Sequence, residues 1–318
     1  MSIGHYIKII GRGKDGARPL PREQAADLLG QVLDGAASDL EIGAFCLAMR
    51  IKGETPEEMA GFLDALHQRL DLLPASAGAT VVLPSYNGAR KLPLLTPLLA
   101  LLLARQGLPV LIHGTATEAS RVFVAELLSA LGIEARAGLH AVAPGEVAFV
   151  PTEMLCPGLK RLLDVRRVVG LRNSAHSLVK LMNPCQGPAV IVGSYTHGEY
   201  AESMAAVFEL MGASALLLRG TEGEPVADAR RLPAMQGFIR GRPVTLEAGV
   251  KSTISPPGLP CGTDLASNAD YSRAVLRGDL PMPASMAQQV EHIVALAASV
   301  ALADSDKHSS NHALEAVA

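Results

Sequence analysis

The sequence has no Trp and few other aromatic side chains, which limits the core and the binding surfaces it can build. Aromatic residues make up 3% of the 318 residues, whereas hydrophobic residues make up 49%. The core must therefore be aliphatic, and an extensive aromatic platform for stacking unpaired bases is not expected. A chain of this length can form one large domain or two of ordinary size.

Charged residues are also scarce. They make up 19% of the chain, which is low for a soluble protein, and the formal net charge is −3. The chain as a whole therefore has no electrostatic attraction to nucleic acid, and any anion site must come from local clustering of cations. The low charge also indicates a surface of small residues, or a surface partly buried in an oligomer.

Motifs for metal binding, secretion and membrane insertion are missing. The four cysteines lack metal-site spacing, so we expect a reduced, cytoplasmic protein. The basic N-terminal stretch is not followed by the apolar segment of a signal peptide. The longest apolar stretch, residues 92–104, is too short to span a bilayer. We expect no membrane partner, no cofactor and no bound metal.

Residues 1–75 carry three helix signals and are predicted to form an N-terminal helical domain. Pro21 suits the first turn of one helix, and Asp39 can cap a second. Thr55 is a helix cap with Glu58 three residues later, which is a strong start signal for a third helix.

From residue 79 onward, short aliphatic runs alternate with helical stretches, which predicts a mostly parallel sheet flanked by helices. The runs that indicate strands are Val81–Leu83, Val110–Ile112, Val147–Val150, Val190–Val192 and Ala215–Leu218. The α/β domain is expected to span residues 79–302, followed by a loose tail over 303–318. Residues 157–182 are expected to be helical, and part of them to join the helical domain. Residues 220–285 carry no clear pattern.

The octapeptide Pro84–Lys91 lies between the first strand and a helix predicted over Leu92–Arg105. Loops at the carboxyl edge of a parallel sheet are where such folds place ligands. Arg90 and Lys91 oppose the dipole of the following helix, which favours an anionic ligand over a plain solvated turn. Tyr86 offers a flat face for a base.

The segment from Cys156 to Pro184 is the most basic part of the chain. Six cations stand against one carboxylate, Asp164, and a second basic cluster lies near the N-terminus. An ordinary solvated helix face remains an alternative, but unmatched cations in a mildly acidic chain indicate contact with a polyanion. His113, at the end of the second strand, is equally compatible with a structural and a functional role. Glu222 and Glu224 are the best carboxylate pair, and no catalytic triad or Walker loop is present.

Two groups of residues resemble the anthranilate phosphoribosyltransferases, members of glycosyltransferase family 3. The stretch from Ile42 to Glu58 resembles their helical domain, and the stretch from Cys156 to Pro184, with Arg166, Gly170 and Arg172, resembles their substrate-site segment. The resemblance implies a small helical domain, a larger α/β domain of the nucleoside phosphorylase/phosphoribosyltransferase type, ligands in the cleft and dimerisation through the helical part.

The sequence departs from those enzymes where they bind phosphoribosyl diphosphate. Their Gly-Thr-Gly-Gly-Asp loop is replaced by the loop around Asn87, and their magnesium-binding Asp-Glu pair falls near Pro225 and Val226. Neither of these two residues can ligate a metal. The replacements, including Gly11–Lys14 and Gly220–Glu224, resemble a non-enzymatic branch, the YbiB-type DNA-binding proteins. This resemblance implies a homodimer that binds nucleic acid with little sequence preference.

Two hypotheses follow. The first is a module that binds nucleic acid, DNA or RNA, through phosphate contacts, and the sequence does not distinguish the two. The second is a phosphoribosyltransferase acting on a small aromatic or nitrogenous acceptor. Against it, the sequence lacks the groups that such an enzyme needs to neutralise the charge of a diphosphate. For the first hypothesis, no residue is assigned a catalytic role, and the expected binding residues are Arg12, Lys14, Arg18, Tyr86, Asn87, Gly88, Arg90, Lys91, His113, Lys160, Arg166, Arg167, Arg172, His176 and Lys180.

Overall fold

The computed structural model describes residues 2–13, 15–251 and 253–315, with side-chain burial as far as Asp304. It confirms a small N-terminal helical domain and an α/β domain with a mostly parallel sheet. The helices are α1 (Gly4–Ile10), α2 (Arg22–Leu33), α3 (Asp39–Lys52), α4 (Pro56–His67), α5 (Thr96–Arg105), α6 (Val124–Ala130), α7 (Thr152–Leu155), α8 (Pro157–Val169), α9 (Ala175–Leu178), α10 (Gly198–Leu210), α11 (Leu265–Arg277) and α12 (Ala284–Glu315). The strands are β1 (Thr80–Ser85), β2 (Val110–Gly114), β3 (Val147–Pro151), β4 (Ala189–Tyr195), β5 (Ala215–Arg219), β6 (Met235–Ile239) and β7 (Arg242–Glu247).

The seven strands form one sheet in the order β3-β2-β1-β4-β5-β6-β7. Strands β1 to β5 pair in parallel, and β6 and β7 add to the edge in antiparallel orientation. Side chains alternate between the two faces: Val82 belongs to the core shared with the helical domain, whereas Val81 and Leu83 belong to the core under α5 and α12. The carboxyl ends of β1, β2 and β4 therefore open at one edge, beside the helical domain.

The helices α3 and α4 of the helical domain begin close to where the sequence predicts, but the N-cap of α3 is one residue earlier. Thr55 caps α4 and forms a capping box with Glu58. For α3 the cap is Ser38 rather than Asp39, because Ser38 forms its own capping box with Glu41. Helix α8 approaches α2 closely: a Cβ added at Gly158 would lie 2.2 Å from the Leu33 carbonyl oxygen.

The hairpin β6–β7 was not predicted from the sequence. Its turn consists of Arg240 and Gly241, with φ angles of 50° and 77°. Two positive φ angles are typical of the tight hairpin turn, but Asn-Gly or Asp-Gly is its usual signal. The exposed residues of β7, among them Arg242 and Pro243, are the kind that protect an edge strand from further pairing.

The start predicted for one helix and the loose tail predicted for residues 303–318 were wrong. Helix α5 begins at Thr96 rather than Leu92, because the backbone before it remains in the octapeptide loop and Leu94 N–H donates to Asn268. Helix α12 continues from Ala284 to Glu315, through most of the predicted tail, and this stretch contains no Gly or Pro that would end it.

Helix α12 is also long and apolar enough, between Ala284 and Asp304, to cross a bilayer by length and composition. Met286, Ile293 and Leu296 are buried in the core on one face of the sheet, which is the arrangement of a core helix in a soluble protein. A membrane span therefore has weak support.

All four cysteines are free, and Cys261 is the exposed one.

Candidate functional site

The loop after β1 encloses a carboxylate of the protein itself. Glu224, which is 2% exposed, accepts hydrogen bonds from the backbone N–H groups of Asn87 (2.9 Å) and Gly88 (2.8 Å). The hydroxyl groups of Ser85 and Thr96 donate to its second carboxylate oxygen. The donors that converge in this loop are thus already matched by a buried anion.

A second carboxylate closes the rest of the loop. Glu222 accepts hydrogen bonds from the N–H groups of Arg90 (2.7 Å), Lys91 (3.1 Å) and Leu92 (3.2 Å). Burial alone raises the pKa of Glu222, but these three hydrogen bonds bring it below its ordinary value. We call residues 85–92 together with Glu222 and Glu224 the closed anion loop, since its backbone donors are occupied from within.

Lys180 contacts the segment that carries Glu222 and Glu224 from the side opposite the loop. Its ammonium group donates to the Gly223 carbonyl oxygen (2.7 Å) and to the carbonyl oxygen (3.1 Å) and hydroxyl (3.3 Å) of Ser194. Burial lowers the pKa of Lys180 to about 8, although the negative charge of Glu224 opposes the shift. The three donors of its ammonium group are satisfied inside the protein, so the prediction that Lys180 contacts phosphate was wrong.

Tyr86 and His113 are structural, contrary to the predicted binding roles. Tyr86 is 1% exposed, its hydroxyl lies 2.8 Å from His113 Nδ1, and the hydroxyl of Thr152 donates to it over 2.9 Å. Burial raises the pKa of Tyr86 and lowers that of His113 to about 3, so both rings are neutral near pH 7. A ring buried this completely cannot stack on a base. Asn87 and Gly88 are buried with them, as part of the closed anion loop.

Beside this loop, two arginines share one carboxylate. Glu118 accepts hydrogen bonds from Arg166 (2.7 Å) and Arg121 (3.0 Å), and Arg121 also donates to the Gly88 carbonyl oxygen (3.2 Å). Burial raises the pKa of Glu118, but the bonds and charges of these partners bring it down to about 2. One Nη atom of Arg166 is buried without a hydrogen-bond partner. The pair therefore keeps an unmatched positive charge.

Arg172 extends the positive charge toward the helical domain. Its pKa falls to about 10, mainly through burial, and the nearby charges of Arg166, Arg121 and Arg50 act in the same direction. Within the part of the chain that the structure describes, the Arg172 guanidinium has no hydrogen-bond or ion-pair partner. The charges of Arg50, Arg121 and Arg166 all act on Arg172, and Arg121 contacts the carbonyl oxygen of Gly88, two residues before Arg90. We call these four arginines, together with Arg90 and Lys91 of the adjoining loop, the cationic groove.

The groove contains two residues that were missed in the sequence. Arg121 precedes α6 outside the two basic clusters, and Arg50 ends a largely apolar helix, so neither belongs to a run of charge. The signal for Arg50 was its place in the stretch Ile42–Glu58, which carries the family resemblance. Nothing in the local sequence singles out Arg121, because only the fold brings it beside Gly88.

Lys160 and Arg167 share Asp164, as their spacing of seven residues allows. Lys160 is therefore paired along its own helix and does not enter the groove, contrary to the prediction. Arg167 remains mostly exposed and also donates to the Ala116 carbonyl oxygen (3.0 Å), which places it at the rim near Glu118.

Two of the three N-terminal cations in the predicted site, Arg12 and Arg18, lie in the described part of the chain. Arg18 donates to the carbonyl oxygens of Asp15 and Ala17, so its guanidinium folds back on its own loop. Arg12 is exposed, next to Gly11, which lies against Ala48 of α3. Lys14 lies outside the described residues.

His176 lines a separate cleft next to the groove. The residue is 7% exposed, its Nδ1 lies 3.3 Å from Asn173 N, and its Nε2 is buried without a hydrogen-bond partner. Burial, together with the charges of Arg172 and Arg166, lowers the pKa of His176 to about 3, so the imidazole is neutral. It offers a hydrogen bond rather than a charge.

The residues present do not fit the magnesium ion that binds in the related enzymes. In the described part of the chain, no three His, Cys, Asp or Glu side chains come together as a ligand set. Glu222 and Glu224, which precede Pro225 and Val226, are engaged with backbone N–H groups and hydroxyls, and Asp228, which follows them, is paired with Arg230. No oxygen cluster is left to hold the ion.

Comparison with known proteins defines the class of the chain. A family model described as "Glycosyl transferase family, helical bundle domain" matches residues 5–69. The chain is 38% identical to "Uncharacterized protein YbiB" of Escherichia coli (strain K12), over 91% of this chain and 92% of the relative. It is 31% identical to the anthranilate phosphoribosyltransferase of Salinispora arenicola, over 79% and 74%. The chain therefore belongs to glycosyltransferase family 3, which includes these enzymes.

Solved structures share the same fold. The anthranilate phosphoribosyltransferase of Thermus thermophilus matches with a TM-score of 0.68 and 24% identity, covering 93% of this chain and 88% of that one. The enzyme of Saccharomyces cerevisiae in complex with PRPP and Mg matches with a TM-score of 0.63 and 15% identity, covering 91% and 85%. At these identities the likeness shows the fold alone. The predicted family is confirmed.

Proposed function

We propose that the protein binds nucleic acid, DNA and RNA alike, with little sequence preference, by holding phosphates along the cationic groove. The observation that carries the proposal is the cluster of Arg121, Arg166, Arg172 and Arg50, which adjoins the exposed Arg90 and Lys91 of the loop after β1. Guanidinium and ammonium groups recognise phosphate but carry no information about base sequence.

The extent of the cationic groove supports binding of a polymer rather than of a single small anion. Its two ends lie on different domains, with Lys91 in the loop after β1 and Arg50 at the end of α3. Arg90, Lys91 and Arg50 are exposed, and Arg172 has no partner among the described residues, so these groups are available to successive phosphates. Nucleic acid also explains why the charge is local in a chain of net charge −3.

Phosphoribosyl transfer is the alternative, and the named enzyme relative together with the retained Arg166 and Arg172 favours it. The closed anion loop argues against it. A diphosphate entering that loop would meet the carboxylates of Glu222 and Glu224. The backbone N–H groups of the loop already donate to these two carboxylates. We therefore propose a binding protein without transferase activity, located in the cytoplasm and acting as a homodimer.

The test is a salt series of binding to one oligonucleotide. Replacing both Arg90 and Lys91 by Ala should weaken binding and lower the slope of log affinity against log salt by roughly one unit per lost phosphate contact. Both side chains are exposed, so folding should be retained. The matched control is Arg242→Ala with Lys251→Ala, which removes two exposed cations at or beyond the far edge strand β7.

The two pairs of substitutions distinguish groove binding from a general charge effect. We expect the control pair to leave both affinity and slope almost unchanged. An equal loss in both pairs, or no loss in the groove pair, would remove the groove from the binding site. Absence of any binding by the wild-type protein at low salt would overturn the proposed function itself.

A further inference from the structure

A cleft of about 510 Å³ lies next to the cationic groove, between the two domains. The link between α3 and α4 forms one side, the segment from Arg172 to Leu181 forms the second, and the turn from β4 into α10 forms the third. This volume is within the usual range of small-molecule sites, roughly 300–1,000 Å³. The cleft shares Arg50 and Arg172 with the groove, so a ligand in the groove can reach into it.

The cleft has one cationic wall and one aromatic wall. Arg50 and Arg172 lie on the first. Tyr195, Tyr200 and His197 lie on the second, and the rings of His197 and Tyr200 are 6.5 Å apart. Tyr200 is 37% exposed, so its ring is available for stacking, unlike that of Tyr86. A phosphate suits the first wall, and a flat ring suits the second.

The polar atoms of the cleft also indicate a base. The buried Nε2 of His176 has no partner among the residues that the structure describes, and leaving such an atom unpaired is costly unless a ligand or water meets it. Ser177 lies beside it on the same wall, whereas the amide of Asn173 is already bonded to Leu162 and Ala175. The imidazole of His176 and the hydroxyl of Ser177 are groups that form hydrogen bonds with the edge of a base.

Two carboxylates in the cleft disfavour a second phosphate. Glu54 accepts a hydrogen bond from the hydroxyl of Ser174 over 2.5 Å, and Glu199 begins α10. Like charges repel, so a ligand with phosphates at both ends does not fit these two walls. A base does fit them, because it carries no charge and often has an amino group that donates hydrogen bonds.

We propose that the cleft receives one unpaired nucleotide of a bound strand, with its phosphate at Arg50 and Arg172 and its base stacked on Tyr200. This inference rests on the proposed function and adds to it a preference for single strands. Paired bases are stacked inside a duplex, so a duplex must open before a base can enter. The groove would hold either form, and the cleft only the unpaired one.

The experiment compares single- and double-stranded oligonucleotides of one length at one salt concentration, for the wild type, Tyr200→Ala and Tyr200→Phe. The wild type should bind the single strand more tightly. Tyr200→Ala should weaken single-strand binding by at least about fivefold, the lower end for loss of one base–aromatic stack, and leave duplex binding and the salt slope unchanged. Tyr200→Phe, which keeps the ring, should behave like the wild type.

A fluorescent base analogue, 2-aminopurine, placed within the single strand gives a second readout. Its fluorescence should be quenched on binding to the wild type and to Tyr200→Phe, and less so with Tyr200→Ala. Equal weakening of single and double strands by Tyr200→Ala, or no weakening at all, would overturn the inference while the groove stands. If the wild type bound neither strand, the proposed function would fall first and the inference with it.

Discussion

Glu224 carries an acidic side chain into the interior, where Glu is rarely found without partners. Its four donors are the hydroxyl groups of Ser85 and Thr96 and the backbone N–H groups of Asn87 and Gly88. It thus does for this loop what a bound phosphate oxygen would do, and Glu222 does the same for the next three N–H groups. The donors of this loop therefore serve the structure of the protein itself.

At this scale we predict that Glu224→Gln destabilises the protein by about 2–4 kcal/mol, because the amide group turns a donor toward donors and removes the charge they face. Denaturant unfolding measures the change. Glu202→Gln, an exposed substitution on α10, is the control and should cost less than about 0.5 kcal/mol. If the two variants are equally stable, the closed anion loop is not held by Glu224.

Glu118 predicts a dependence on pH. Its pKa is about 2 in the folded protein against an ordinary 4.5, since Arg166 and Arg121 favour the charged form. A depressed carboxyl pKa contributes stability that is fully present above about pH 4.5 and is lost as the pH falls toward 2. Glu118→Gln should therefore be less stable than the wild type at pH 7, and the difference should shrink by pH 3.

Unfolding in denaturant at both pH values checks this. Glu134→Gln is a suitable comparison, because it removes another acid that lies outside the groove and accepts no hydrogen bond from its arginines. A wild-type advantage over Glu118→Gln of the same size at pH 7 and pH 3 would contradict the assigned cause.

At the scale of single elements, helix α3 presents an apolar stripe that nothing in the described chain covers. Leu40, Leu47 and Ile51 are 85%, 46% and 66% exposed. Their spacing of seven and four residues places them on one face of the helix. Val168 and Leu171, at the end of α8, are exposed as well. This face is the surface that a dimer through the helical domain would use.

We therefore predict that the protein is a homodimer and that Leu47→Glu with Ile51→Glu shifts it to a monomer, because two buried charges would be placed in the interface. Sedimentation velocity over a range of concentrations measures the shift. Leu302→Glu on α12, which is also exposed and apolar, is the control and should leave the dimer intact. A wild-type protein that remains monomeric at every concentration would refute the prediction.

The dimer would have a consequence for binding. Each protomer carries its own cationic groove, so one long strand that reaches both grooves gains affinity without any new contact. Oligonucleotides too short to span two grooves would lack this gain.

At the scale of the whole molecule, the chain shares the fold of the anthranilate phosphoribosyltransferases. The backbone cradle is filled by Glu222 and Glu224, and no set of oxygen ligands is left for magnesium in the described residues. We predict that the protein forms no product from phosphoribosyl diphosphate, magnesium and anthranilate. Chromatographic detection of the phosphoribosylated product is the measurement.

An active member of the family provides the positive control for this assay. Product formation by this protein that is lost in Glu222→Gln would mean that the loop opens in solution, and the transferase alternative would then replace the proposed function.

Local patterns were sufficient for much of the fold. The alternation of short aliphatic runs with helices located the five parallel strands, and Thr55 with Glu58 located the start of α4. These signals act between neighbours in the chain. The hairpin β6–β7 escaped, because its Arg240-Gly241 turn lacks the usual turn residues.

The sequence by itself therefore determined the family, the architecture of a helical domain with an α/β domain, and the presence of clustered cations. Only the tertiary structure decided which of these cations meet. Glu224 lies 136 residues from Gly88, and Arg166 lies 48 residues from Glu118. Such pairings depend on how strands and helices pack, so local sequence cannot reveal that Tyr86 is buried, that the loop is closed, or that Arg121 and Arg50 complete the groove.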